Sequence, residues 1–101
     1  MSPLPDWLER HTSLAPAALR ARVHDLTVTT DPGMTVPDAL AAAGRRALEA
    51  VVAHPGDRSV ALDLLAADAL VTLALLAQAH TAPERLGDFA LSVLRSGLPH
   101  S

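Results

Sequence analysis

Between Val60 and Ala77 the chain reads VALDLLAADALVTLALLA, and only Asp63, Asp68 and Thr72 interrupt its apolar residues. Placed on a helix of 3.6 residues per turn, the stretch has two large stripes. Val60, Leu64, Val71 and Leu75 gather on one side, and Leu62, Leu65, Ala69, Leu73 and Leu76 on another. Ala61, Asp68, Thr72 and Ala79 form a seam between them, and Asp63, Ala67, Leu70, Ala74 and Ala77 lie on the far side. A helix apolar most of the way round is buried most of the way round. The pattern predicts a central helix over about 59–80, covered by its own bundle or shared with a second chain.

The remaining patterns are also helical. Asp6 can cap a short helix starting at Trp7, and Pro16 fits the first turn of a helix to Leu26, with Leu19, Val23 and Leu26 in one stripe. Thr35 is an N-cap, with Pro37 in the first turn and Asp38 at the capping-box position. Leu40, Ala43, Ala47, Leu48, Val51 and Val52 form the expected inner face of that helix. Ala39, Ala43 and Ala47 step by four, so a neighbouring helix can come close there. His54-Pro55-Gly56 ends the helix, and Asp57 or Ser59 is expected to cap the next. Thr81-Ala82-Pro83-Glu84 repeats the start signal of Thr35 and predicts a last helix to Ser96, with Leu86, Phe89, Ala90, Val93 and Leu94 inward. Residues 27–35 contain the turn signal Asp31-Pro32-Gly33 and read as a loop.

Composition supports the same class. The 101 residues fit one domain: an arm over 1–15, a bundle over 16–97 and a tail over 98–101. The chain holds 20 Ala and 18 Leu against one Phe, one Trp and no Ile or Tyr, a helix-forming set poor in strand formers. The expected fold is therefore all-α, a compact bundle of four main helices plus a short N-terminal one. Lys, Asn, Ile and Tyr, whose codons are A/T-rich, are all missing, which reads as a GC-rich bacterial genome. Cysteine is absent too, which removes disulfides and thiolate chemistry and fits a reducing cytoplasm.

Net charge is −3, and the eight Arg are scattered, so no basic face for nucleic acid is expected. The apolar run approaches membrane-span length. Its two aspartates would each cost about 2.5–3.5 kcal/mol at a bilayer centre, which argues against a span.

Asp63 and Asp68 point about 140° apart on the helix, so they cannot act as a carboxylate pair. A buried carboxylate must be paired, hydrogen-bonded or protonated. Arg45, Arg46 and Arg85 are the expected partners, and Asp63, near the helix start, can instead sit in solvent by the positive helix end. An alternative is a ligand, metal or enzymatic site around Asp68 and Thr72, with Arg46 or a His beside it.

His11, His24, His54, His80 and His100 show no HExxH or ExxH spacing, and His54, His80 and His100 fall at or beyond helix C-termini, where an imidazole can cap carbonyls. No metal or cofactor is expected. Ala66-Ala67-Asp68-Ala69-Leu70 resembles the attachment motif of acyl carrier proteins, in which a serine after the aspartate carries the prosthetic group. Ala69 stands in that serine's place, so no group can be attached there. Arg95 and His100 have a spacing similar to the R-x4-H motif of HEPN ribonucleases, which implies a helical ribonuclease as a lower alternative; Gly97 and Pro99 depart from that family's helix.

The leading expectation is a non-catalytic protein–protein interaction module of a bacterial cytoplasm, forming a homodimer. Val60, Leu64, Val71 and Leu75 of the long helix, with Leu86, Phe89 and Val93 of the last, are the expected interface.

Overall fold

The computed structural model describes residues 4–31, 33–54, 56 and 58–97, with backbone alone for 59, 96 and 97. Five α-helices follow in order: α1 (Leu4–His11), α2 (Ala17–Val28), α3 (Val36–Ala53), α4 (Ser59–Thr81) and α5 (Leu86–Gly97), with a 3₁₀ turn at Pro83–Arg85 before the last. The fold is all-α. The tail over 98–101 lies outside the described residues.

Local chemistry sets the two ends of α3. The Thr35 side chain accepts a hydrogen bond from the Asp38 N–H at 3.3 Å, and a proline in the first turn contributes a fixed φ where no N–H is needed. The Gly33 N–H donates to Asp31 Oδ1 at 2.8 Å, which tightens the turn leading into that cap. After α3 the chain reverses at Gly56, whose φ of 86° is readily reached only by glycine. α1 begins earlier than the Asp6 signal implies, and α2 runs on through Thr27 and Val28. Thr27 is buried, and its hydroxyl donates to the His24 carbonyl at 2.9 Å, so it fits inside the last turn.

Two start signals are used differently from the expectation. Thr81 does not cap the last helix. It stays within α4, its hydroxyl donating to the Ala77 carbonyl at 2.8 Å, and the turn at Pro83–Arg85 intervenes before α5. Ser59 is the first residue of α4, and Arg58 before it makes no side-chain cap; Asp57 lies outside the described residues.

The core is the α3–α4 contact, with α2 packed on both helices and α5 on α4 and, to a lesser extent, α3. It is built from small residues. Ala39, Ala43, Gly44 and Ala47 of α3 are buried, as are Ala66, Ala67, Leu70, Ala74 and Ala77 of α4. A Cβ on Gly44 would meet Val71 Cγ2 at 3.3 Å and Leu70 Cβ at 3.4 Å, so the bare glycine sets how closely the helices approach. Leu40 and Leu70 are the large side chains fully enclosed. Leu4, Leu8, Val23 and half-buried Trp7 and Leu19 add an N-terminal lobe to this core. The body measures 39 × 35 × 22 Å, and its thinnest dimension is about two helix diameters.

The alanine step of α3 therefore meets its neighbour as expected, but α4 is turned over. The side carrying Asp63, Ala67, Leu70, Ala74 and Ala77 is the inner one, and the leucine stripes lie on the flanks or in solvent. Close approach to an Ala/Gly ridge brings backbones and Cβ atoms into dispersion contact, whereas leucines at those positions would hold the helices apart. On α3, Val52 is 79 % exposed rather than inward.

Candidate interaction surface

Turning α4 over decides what happens to its two aspartates. Asp63 falls on the inner side, where it is buried, and Arg22 of α2 donates from Nε to Asp63 Oδ1 at 2.5 Å. The side chains keep 32 % and 11 % of their exposure, so the pair sits at the edge of the core and not in its centre. Its partner is on α2, and none of Arg45, Arg46 or Arg85 takes that place. Asp68 is exposed, as is Thr72, so neither is the buried polar group expected of it.

The three expected arginine partners have other contacts or positions. Arg46 is half-buried and donates from Nη2 to the Leu26 carbonyl, placing a positive charge on the last turn of α2, where orphan carbonyls gather. Arg45 lies 3.8 Å from Glu49 one turn on, an exposed pair of small energetic weight. Arg85 is exposed beside a cleft of about 390 Å³ between the α3 start and the α4–α5 junction.

The expected interface residues divide into two groups. Val71, Phe89 and Val93 are half-buried around a cleft of about 200 Å³ between α3, α4 and α5, with Asp38 and Arg45 also lining it. Leu86 and Val60 are half-buried as well. Of these, Phe89 packs against the buried core and Val71 lies against Gly44 of α3. Leu64 belongs to the other group, since it is 52 % exposed.

Leu65 and Leu76, of the second leucine stripe, are exposed with it, at 58 % and 37 %. Ala61, Asp68 and Thr72 are exposed on the same face, and Leu75 and Ala79 are half-buried at its margin. At about 100° per residue these eight positions fall within about 120° of the helix circumference. The face was visible on the helical wheel as the seam and the leucines bordering it; its orientation toward solvent was not. Val60–Thr81 is also the one described helix long and apolar enough to cross a membrane by length and composition, and 33 % of that window is buried within the chain.

The histidines are spread out. His11 stacks on Trp7 with ring centres 4.0 Å apart, donates from Nδ1 to the Trp7 carbonyl at 2.9 Å, and comes within 6.0 Å of His80, tying the end of α1 to the end of α4. Among the described residues no three His, Asp or Glu side chains gather as metal ligands would. His100 lies outside the described residues, so the spacing Arg95–His100 has no geometry to report. The chain matches no family model, no curated protein and no solved structure.

Proposed function

We propose that this protein is a small non-catalytic interaction module that associates with a second copy of itself through the outer face of α4. The observation that carries the reading is the row Leu64, Leu65 and Leu76, three large apolar side chains held in solvent on the same helix whose other side forms the core. Single exposed leucines are ordinary on protein surfaces. A contiguous set on one helix face is a docking surface in waiting.

The internal arrangement supports the same reading. On α4 the buried side carries Ala66, Ala67, Ala74 and Ala77 beside Leu70, while Leu64, Leu65 and Leu76 stay outside, so the larger hydrophobic gain of those leucines is realised only if a partner covers them. Burying a leucine fully from water contributes about 1.5–3 kcal/mol, and these three, already about half covered, would each contribute about half of that. Asp68 and Thr72 point outward in the middle of that face and do not line either cleft, which favours a shared surface over an enclosed ligand pocket.

Native mass spectrometry at tens of micromolar protein tests the proposal. A species at twice the 10.5 kDa chain mass is the expected result. A chain that stays at 10.5 kDa under those conditions overturns it.

A further inference from the structure

The residues on the outer face of α4 are arranged symmetrically about position 70. Ala61 and Ala79 stand at equal distances from it, as do Leu64 and Leu76, Leu65 and Leu75, and Asp68 and Thr72. A two-fold axis crossing the helix at that level, on its solvent side, would lay two α4 helices antiparallel and bring each member of a pair level with its counterpart. We propose that the occupant of this face is a second copy of the same chain, packed antiparallel, with Asp68 of each copy facing Thr72 of the other. This rests on the self-association reading and adds its direction and register.

The chemistry of each layer fits the arrangement. At the centre are the two polar groups of the face, an acceptor-only carboxylate and a hydroxyl that can donate. An antiparallel register gives two such O–H···O⁻ bonds, one on either side of the axis, so neither polar pair is covered unsatisfied. A parallel register about the same centre would set Asp68 against Asp68 and leave the carboxylates without a donor. Next outward, Leu64 and Leu65 of one copy come level with Leu75 and Leu76 of the other, a four-leucine layer on each side of the polar centre. At the ends Ala61 meets Ala79 on the midline, where a small side chain lets the helices stay close. A two-fold interface needs a patch complementary to itself, and this face meets that condition residue by residue.

The chain has no cysteine, so introduced thiols report the register cleanly. Two single variants, Ala61→Cys and Ala79→Cys, are prepared separately and oxidised with copper–phenanthroline alone and as a mixture. In the antiparallel pair each introduced thiol lies about 27 Å along the axis from its own copy but level with the other variant's. The mixture should therefore give a disulfide-linked dimer, and each variant alone should give none. Sedimentation velocity on the uncrosslinked proteins runs alongside. Cross-linking of Ala61→Cys by itself would mean a parallel pair and overturn the register while leaving self-association standing. A sedimenting dimer with no cross-link in the mixture overturns the register too, since another surface is then in use. A monomer that floats with phosphatidylcholine vesicles would make a lipid surface the occupant, and a monomer that does not float would remove this proposal and the self-association reading together.

Discussion

Asp63 is the residue whose environment has most to say about the core. Its carboxylate is buried at the edge of the core and its charged partner among the described residues is Arg22, 41 positions earlier in the chain. Arg22→Ala leaves a carboxylate in an apolar surround without its donor, and should cost about 1–3 kcal/mol. Asp63→Ala removes the buried charge itself and leaves a guanidinium that can turn to solvent, so it should cost less. Urea denaturation of both single variants checks that order, and the double variant measures the coupling: a loss equal to the sum of the two single losses would mean that the pair is not energetically coupled. The aspartates were legible in the sequence as residues needing an explanation. Their partner was not, because a contact between α2 and α4 has no local signal. Arg46 shows the same limit: its charge serves the end of α2, and nothing adjacent to Arg45-Arg46 in the chain marks Leu26 as its acceptor.

At the scale of elements, caps and spacings were the readable features. Thr35, Pro37 and Asp38 start α3 where the pattern placed it, and Thr35→Ala should cost about 1 kcal/mol by thermal melting. The four-residue alanine step on α3 likewise marked the side that meets α4. What the pattern concealed was which side of α4 faces back. Ranking positions by hydrophobicity puts leucines inward, and on α4 that ranking fails because the contact is set by distance. Gly44 and the alanines demand a thin partner, and Ala66, Ala67, Ala74 and Ala77 supply it. Gly44→Leu should then wedge the two helices apart, since its Cβ alone already reaches Val71 and Leu70. Overpacking of this kind costs about 1–3 kcal/mol or more, against a gain of about 1 kcal/mol in helix propensity. A denaturant midpoint equal to or above the parent's would show that the α3–α4 spacing is soft and would weaken this explanation of α4's orientation.

For the whole molecule, the consequence is a bundle about two layers thick with an apolar helix open on one side. The all-α class, the helix count and the central position of α4 were readable from composition and periodicity. The open face was not, because periodicity shows which residues share a face and not what covers it. Self-association through that face predicts a sharp separation of effects. By two-fold symmetry each substitution acts twice, and Leu65→Glu both loses the leucine's remaining burial and covers a carboxylate, so it should weaken the dimer by about 3–6 kcal/mol, a hundredfold or more in dissociation constant. Val52→Glu, on the exposed end of α3 across the core from that face, should leave it unchanged. Sedimentation equilibrium of the parent and these two variants is the most direct measurement. The account predicts a dimer for the parent and for Val52→Glu and a monomer for Leu65→Glu, with all three equally helical. A monomeric parent, or a Leu65→Glu dimer as tight as the parent's, would contradict it.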